Sequence, residues 1–359
     1  MKKICLLIED ITKSGGTERV ISVLSQYLNE LPELKIEIVS IKNKNKEPFY
    51  KINGNIYYLD QIKLSYLKVV QFIKNKKYDS VVIISMRRLS IFMTLALKFL
   101  NFKQEIILSE HTSFNSLPIF IKILKLIVYN LCTKIIVLTT HDKKVISKKL
   151  FNISKIYSIT NISPFSTQPI NLSPSKKFIA IGRLNKEKGF DLLLKSWFYF
   201  KKNKYSEFLL EIIGCGKEEA FLKDIALKLN IHDSVIFSGL KSNISESYSN
   251  AYGILMTSRY EGLPMVLIEG QSFGIPCISF DCLTGPRDII CDKENGFLVE
   301  NGNILVFSEK ISLLANDIDL RNKMAAKALE NAKRFSFNTI ASDNTIASKW
   351  LEVLCGNIV

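Results

Sequence analysis

The chain has 359 residues, of which 47% are hydrophobic and 23% are charged. One hydrophobic core stops growing at roughly 250–300 residues, so this length predicts two domains, and so apolar a composition excludes a disordered chain or a small disulfide-stapled scaffold. Lys and Arg outnumber Asp and Glu by 49 to 34, and residues 1–160 carry nearly all of the excess, with 26 basic against 12 acidic side chains.

Short runs rich in Ile and Val alternate with longer segments of helical period. This alternation is typical of a parallel sheet with helices on both faces. A second series of runs follows residue 177, so we predict an α/β chain with two doubly wound, Rossmann-like domains. The predicted strands are Ile4–Ile8, Ile36–Ile41, Val81–Ile84, Glu105–Leu108 and Ile135–Leu138, then Phe178–Ile181, Leu209–Ile213, Val235–Phe237, Gly253–Thr257, Cys277–Ser279 and Phe297–Val299.

Residues 161–177 contain three prolines and four serines and show no periodicity. This composition is typical of a linker. We therefore predict an N-terminal domain at 1–160 and a C-terminal domain at 178–335. Residues 336–359 form one helical pattern that includes Ile340, with no strand after it, and this helix can pack back onto the first domain.

Seven scattered cysteines without a Cys-x-x-Cys pair are typical of reduced, cytosolic thiols. The apolar run after Met1 ends at Glu9 and is too short for a signal peptide. The most apolar stretch, Leu117–Leu138, is interrupted by lysines, so no transmembrane helix is predicted. We expect a cytoplasmic protein.

The net charge of +14 on residues 1–160 favours an extended anionic partner, either nucleic acid or an anionic membrane surface. In Pro118–Leu131, Lys122 and Lys125 interrupt bulky apolar residues, a pattern that fits a helix in a membrane interface and equally an ordinary buried helix. No nucleic-acid-binding motif is present. We expect peripheral attachment to the inner face of the plasma membrane and no specific nucleic acid.

Residues that follow the predicted strands carry the candidate chemistry, because open α/β sheets bind ligands beyond the carboxyl ends of their strands. Thirteen of the sixteen glycines lie after residue 160, which places a small-molecule site in the second half. In Gly182–Gly189, Arg183 and Lys188 are spaced to clamp a pyrophosphate, or else belong to a solvated basic turn.

Ser258–Gly270 is the most specific of these segments. Pro264 suits the first position of a helix, which leaves the amides of Gly262–Met265 free to point at an anion. Glu261 in the loop and Glu269 on the helix are carboxylates that accept hydrogen bonds from sugar hydroxyls. We therefore expect an anion pocket with a polyhydroxylated ligand beside it.

Three further segments are weak when taken alone. Gly214–Gly216 stands where a strand meets a helix, and Pro286 opens another helix, so each offers amides to a phosphate. Asp317–Asp319 resembles a metal-binding Asp-x-Asp but is placed at a helix start. His, Cys, Asp and Glu never cluster at ligand spacing, so no metal and no cofactor are expected.

Taken in order, these segments resemble glycosyltransferase family 4, whose GT-B architecture has two Rossmann-like domains facing across a cleft. The resemblance covers nearly the whole chain. Glu261 and Glu269 match the family's two-glutamate signature, Gly182–Gly189 its Gly-Arg-Leu…Glu-Lys-Gly segment, and Ser14–Arg19 its glycine-rich opening loop.

The resemblance implies that Arg183 and Lys188 bind the donor diphosphate, and that Glu269 binds the ribose. It also implies that Glu261 holds the transferred sugar, which His111 reaches from the first domain. Phe237–Leu240 matches the segment that lies against the base. The other implied donor contacts are Gly15, Gly16, Gly182, Gly214, Leu240, Gly262, Leu263, Pro264 and Met265.

Thr284–Ile290 is similar to a subset of the family that builds lipid-linked oligosaccharides, lipopolysaccharide or capsule. This implies retaining transfer of a hexose or N-acetylhexosamine from a UDP-sugar to a lipid-linked or polysaccharide acceptor. A nucleotide-sugar epimerase or hydrolase of the same fold, a non-catalytic sugar-nucleotide-binding protein and a basic nucleic-acid-binding protein are the alternatives.

Overall fold

The computed structural model describes residues 1–42, 47–59, 66–202, 207–337 and 345–356. The chain divides into two compact units, one built from Met1–Pro164 with Phe337–Val359 and the other from Phe165–Ser336. The division lies inside the segment 161–177, but most of that segment packs on the second unit. The backbone N–H of Gln168 donates to the carbonyl of Ser272 in the second unit at 2.8 Å, which holds the segment against that unit.

The first unit contains a seven-stranded sheet in the order β3-β2-β1-β4-β5-β6-β7, with every neighbouring pair parallel. Its central strands are continuous apolar runs because helices cover both faces. Its elements are β1 Lys2–Asp10, α1 Gly16–Leu28, β2 Leu34–Lys42, β3 Asn55–Tyr58, α2 Tyr66–Asn75, β4 Ser80–Ser85, α3 Leu89–Phe99, β5 Glu105–Glu110, α4 Ile119–Leu131, β6 Lys134–Val137, α5 Thr140–Ser147 and β7 Ile156–Ser158.

The sequence pattern missed β3 and β7, which lie at the two edges of this sheet. Both are short, and β3 has only exposed and half-buried residues. Their place comes from backbone pairing with β2 and β6 rather than from a buried apolar run. A periodicity argument has no signal for such a strand.

The second unit contains a six-stranded parallel sheet in the order β10-β9-β8-β11-β12-β13. All six strands match predicted runs. Its elements are β8 Lys177–Ile181, α6 Phe190–Lys202, β9 Leu209–Ile213, α7 Glu219–Lys228, β10 Val235–Gly239, α8 Ser245–Ser249, β11 Gly253–Met256, α9 Met265–Ser272, β12 Cys277–Asp281, α10 Pro286–Ile289, β13 Gly296–Glu300, α11 Ile304–Asn316 and α12 Ile318–Ala332.

The last helix, α13 Ile346–Cys355, belongs to the first unit. Lys2 Nζ donates to the carbonyl of Leu354 at 2.9 Å, and Trp350 is 3% exposed. The predicted helix over 336–359 is shorter in the structure, because Thr345 caps it by accepting a hydrogen bond from the Ser348 amide. Ile340 lies outside the described residues.

Candidate functional site

The strand order of the second sheet reverses between β8 and β11. From β8 the chain proceeds to β9 and β10 on one side and then places β11, β12 and β13 on the other. The loops 182–189 and 257–264 therefore leave neighbouring strands at the same edge of the sheet. Open α/β sheets bind ligands at such a reversal, so we take these two loops as the candidate site.

An ion pair joins the two loops. Lys188 Nζ donates to Oε1 of Glu261 at 2.6 Å, and the Ser258 hydroxyl donates to the same oxygen at 2.7 Å. The side chains of Lys188 and Glu261 are 29% and 11% exposed, so the pair is partly desolvated and still accessible. A cation and a carboxylate in contact offer one group for a phosphate oxygen and one for a sugar hydroxyl.

Arg183 stands apart from this ion pair. Its side chain is exposed and forms no salt bridge with any acidic side chain in the described parts of the chain. The stem of Lys188, by contrast, lies over Gly182, where an added Cβ would be 3.5 Å from the lysine Cδ. The structure therefore brings Lys188 and Glu261 together and leaves the Arg183 guanidinium in solvent.

Arg259 fixes the spacing of the two loops, and no sequence pattern singled it out. Its guanidinium forms a two-point ion pair with Asp191, at N–O distances of 2.9 and 2.7 Å, and donates to the carbonyl of Lys186 at 2.7 Å. Burial raises the pKa of Asp191, but the hydrogen bond and charge of Arg259, together with hydrogen bonds from the backbone amides of Asp191 and Leu192, hold that pKa below its usual value. The position of Arg259 within Ser258–Gly270 was the signal that the sequence offered for it.

Gly189 ends the first loop in the left-handed conformation, with φ of +65°. The Thr257 hydroxyl donates to its carbonyl at 2.9 Å, and an added Cβ would lie 2.0 Å from the carbonyl oxygen of Thr257. Both the backbone angle and this close approach require glycine. The two loops thus pack backbone against backbone immediately beside Lys188.

Helix α9 begins at Met265, one residue later than predicted. Pro264 is the N-cap residue, because the chain enters from the loop with extended backbone, ψ 109°, and its carbonyl accepts the amide of Leu267 at 3.2 Å. The first amides of a helix have no partner within it, and the helix dipole favours an anion there. The loop containing Gly262 and Leu263 leads directly into this position.

Glu269 faces the interior of the second unit. It is 6% exposed, and its Oε2 accepts a hydrogen bond from the Tyr248 hydroxyl at 2.7 Å. The prediction that this carboxylate is not on the helix surface is confirmed. Buried carboxylates need partners, and the tyrosine supplies one that lies 21 residues away in sequence.

Gly214 and Gly216 lie in the loop that joins β9 to α7, the strand-to-helix junction that the sequence predicted. Helix α7 begins at Glu219, and the loop before it packs on the loop after β8. An added Cβ on residue 214 would lie 1.9 Å from the Gly182 carbonyl oxygen, and one on residue 216 would lie 2.2 Å from that of Leu184. Loop packing is thus one reason for these glycines.

A buried carboxylate holds the loop after β10. Glu211 Oε1 accepts hydrogen bonds from Ser238 Oγ at 2.6 Å and Lys241 Nζ at 2.5 Å. Burial raises the pKa of Glu211, but hydrogen bonds from Lys177, Lys241 and Ser238 outweigh it and lower that pKa to about 2. Leu240 lies in sequence between Ser238, near the end of β10, and Lys241 in the loop, and it is 51% exposed and therefore available to a ligand.

The segment after β12 supports the site and does not form a second anion pocket. The Thr284 hydroxyl donates to the carbonyl of Glu261 at 2.8 Å. Helix α10 begins at Pro286, as predicted, but it has only four residues, and the Asp288 carboxylate accepts the Gly285 amide at 3.3 Å. That acidic side chain already occupies the helix start, which corrects the expectation of an anion site.

Asp317 caps α12 by accepting the amide of Leu320 at 2.8 Å, so its Asp-x-Asp segment is a helix start, as predicted. Across the described ranges, no three His, Cys, Asp or Glu side chains lie close enough together to hold a metal ion.

His111 lies directly after β5 in the first unit and is 7% exposed. Burial lowers the pKa of its imidazole to about 4, so the ring is neutral at pH 7. Its Nε2 lies 3.0 Å from the hydroxyl oxygen of Ser109. Gly15 and Gly16, also in the first unit, are the N-cap and the first residue of α1.

Similar proteins agree with this architecture. The chain is 33% identical to the amylovoran biosynthesis glycosyltransferase AmsD of Erwinia amylovora, covering 99% of this chain and 100% of the relative. It is 26% identical to a Campylobacter jejuni α-1,4-N-acetyl-D-galactosaminyltransferase whose name specifies a PP-undecaprenol-linked acceptor, covering 99% and 98%. A TarM variant of S. aureus, crystallised with UDP, fondaparinux and α-GlcNAc-glycerol, superposes with a TM-score of 0.79 at 16% identity over 99% of this chain and all of that one.

Two doubly wound parallel sheets with these neighbours define an α/β protein of the GT-B fold. The family model described as glycosyl transferases group 1 matches residues 165–331, which are almost all of the second unit. The chain belongs to the group 1 glycosyl transferases and is a glycosyltransferase.

Proposed function

We propose that the chain transfers a hexose or N-acetylhexosamine from a UDP-sugar to a membrane-linked glycan acceptor, with retention of configuration at the anomeric carbon. We further propose that it belongs to glycosyltransferase family 4 and acts in bacterial surface polysaccharide or lipid-linked oligosaccharide synthesis. The ion pair between Lys188 and Glu261 at the strand-order reversal carries this proposal. The relatives named for amylovoran synthesis and for a PP-undecaprenol acceptor support it, as does the UDP in the TarM crystal.

In this proposal the donor diphosphate separates the ion pair. Lys188 turns to the phosphate oxygens together with Arg183 and the first amides of α9, while Glu261 accepts from a hydroxyl of the sugar. Glu269 holds the ribose and Leu240 lies near the base. Each well-placed donor stabilises the negative charge on the departing UDP by about 3–4 kcal/mol, by analogy with an oxyanion hole.

Retention by double displacement needs a carboxylate nucleophile at the anomeric carbon, and inversion needs a base on the opposite side. Glu261 accepts a hydrogen bond from the Ser258 hydroxyl and is assigned to sugar binding. We therefore favour substitution on the front side of the sugar, in which a UDP phosphate oxygen takes the proton of the incoming hydroxyl. His111 is neutral at pH 7 and acts as a hydrogen-bonding group toward the sugar.

We expect UDP-sugars to raise the melting temperature of the protein more than GDP- or ADP-sugars do. A ligand at 100 times its Kd stabilises the folded state by about 2.7 kcal/mol, which a thermal-shift assay detects. UDP release that requires a glycan acceptor distinguishes transfer from epimerisation and hydrolysis. A panel in which no nucleotide sugar shifts the melting curve contradicts the proposal.

The acceptor side of the proposal rests on an exposed apolar surface of the first unit. Helices α3 and α4 pack against each other, and none of the helices in the described ranges is long and apolar enough to cross a membrane. We call the outer face of this helix pair the α3–α4 surface. Its exposed apolar side chains are Phe92, Leu95 and Phe99 on α3 and Ile119, Phe120, Ile123, Ile127 and Leu131 on α4.

Basic side chains border the α3–α4 surface, with Arg87 and Arg88 before α3 and Lys98 near its end, all exposed. Apolar residues flanked by positive charge fit the headgroup region of an anionic bilayer. The sequence left open whether Lys125 lies at a membrane interface or on a buried helix face, and the structure places it in the interior. Lys125 is fully buried, where it pairs with Glu110 and donates to the Ser90 hydroxyl at 2.6 Å, because a buried charge needs a partner.

We expect the protein to bind vesicles that contain phosphatidylglycerol and not pure phosphatidylcholine, and to release in high salt. Phe120→Ser with Ile123→Ser should weaken this binding roughly 100-fold, because each side chain loses apolar burial of about 1.5 kcal/mol or more. Phe221→Ser with Leu227→Ser on α7, side chains of similar exposure in the second unit, is the matched control. Equal sedimentation of both double variants excludes the α3–α4 surface as the docking site.

A further inference from the structure

We infer that Ser109 is a positioning residue, which holds His111 in the tautomer that carries its proton on Nδ1. Ser109 is the fifth residue of β5, and His111 follows the end of that strand. The two side chains meet at 3.0 Å between the hydroxyl oxygen and Nε2. The inference rests on the proposed role of His111 toward the donor sugar.

The burial of Ser109 decides which atom carries the proton. Its side chain is 1% exposed, and His111 Nε2 is its hydrogen-bond partner among the described residues. A buried hydroxyl needs an acceptor for its proton. Nε2 of a neutral imidazole accepts when the ring proton is on Nδ1, so Ser109 donates and Nε2 accepts.

Among the described residues, the Ser109 hydroxyl is the hydrogen-bond partner of the His111 ring. A cavity of about 10 Å³, room for about one water molecule, lies beside His111 and Ser109 under α1. Its walls are mostly apolar, with Val20, Leu24 and Ile136 among them. Thr160 and Asn161 also line the cavity but make no hydrogen bond with the ring, so the Ser109 hydroxyl is the group that distinguishes its two nitrogens.

The consequence concerns the other nitrogen. Nδ1 makes no hydrogen bond with the described residues, so its N–H is left for a ligand or for solvent. Burial keeps the ring neutral at pH 7, and a neutral Nδ1–H is a donor only. His111 would then donate to a sugar oxygen and not accept from a sugar hydroxyl.

Nitrogen NMR of ¹⁵N-histidine-labelled protein tests the tautomer directly, because the chain has only three histidines. We expect Nδ1 of His111 to be protonated and Nε2 to be unprotonated at pH 7. Ser109→Ala should remove this bias and move the ring toward a mixture of tautomers. Ser196→Ala, which deletes another fully buried serine hydroxyl, should leave the His111 signals unchanged. A wild-type ring protonated on Nε2 overturns the inference.

Kinetics provide the second readout. Ser109→Ala should lower kcat/KM for the nucleotide sugar about tenfold, while Ser109→Thr, which keeps the hydroxyl, should restore most of it. An unchanged kcat/KM in Ser109→Ala, with an altered tautomer, overturns the positioning role. If the wild-type protein has no transferase activity, the proposed function fails, while the NMR result still decides the tautomer.

Discussion

Lys188→Ala is expected to lower kcat/KM for the nucleotide sugar at least ~100-fold. The Lys188 ammonium group is the cation that the structure places in contact with Glu261. In the proposed mechanism this ammonium group stabilises the negative charge that develops on the departing diphosphate. Arg183→Ala should have an effect of the same order through the other half of the clamp. Steady-state kinetics with saturating acceptor measure both.

The loss should appear in the reaction and not in folding. The Lys188 side chain is 29% exposed, and ion pairs at such positions contribute roughly 1 kcal/mol or less. Lys186→Ala removes an exposed positive charge from the same loop and is the matched control, with unchanged turnover expected. A normal kcat/KM in Lys188→Ala removes the phosphate clamp from the mechanism.

Gly189→Ala is expected to destabilise the second unit by about 3 kcal/mol or more. The left-handed backbone alone costs about 1–2 kcal/mol for a residue with a Cβ. The methyl group would also lie 2.0 Å from the Thr257 carbonyl oxygen, so the two site loops must move apart. Thermal or urea unfolding measures this change.

Gly239→Ala separates these two causes. Its φ of +66° nearly equals that of Gly189, but an added Cβ there meets nothing within 4 Å. It should therefore lose only the backbone contribution of about 1–2 kcal/mol. Equal losses in the two variants would show that the contact with Thr257 contributes nothing.

The sequence was a good guide wherever an element is buried on both faces. The runs that became β4 and β11 are buried throughout, so apolar residues and strand position coincide. Edge strands such as β3 carry no such pattern, because hydrogen bonds to β2 place them. Helix starts were predicted to within a residue at Pro264 and Pro286, where proline restricts the backbone.

The site was predictable in its residue types and not in its pairings. Lys188 and Glu261 were each singled out, but their contact depends on β8 and β11 being neighbours, which only the strand order gives. Arg259 was missed because its partner Asp191 lies 68 residues earlier. The place of Lys125 stayed open for the same reason, since a lysine between apolar residues gives no sign of a distant carboxylate such as Glu110.

The first unit is discontinuous in sequence, because α13 completes a structure that is otherwise built from residues 1–164. During N-to-C synthesis on the ribosome, the whole second unit emerges before α13 does. Until then the nascent first unit lacks the hydrogen bond of Lys2 to Leu354 and lacks Trp350, which lines the same cavity as the apolar side chains of α1. Because the first unit stays incomplete until α13 emerges, we expect the second unit to acquire protease resistance first during translation.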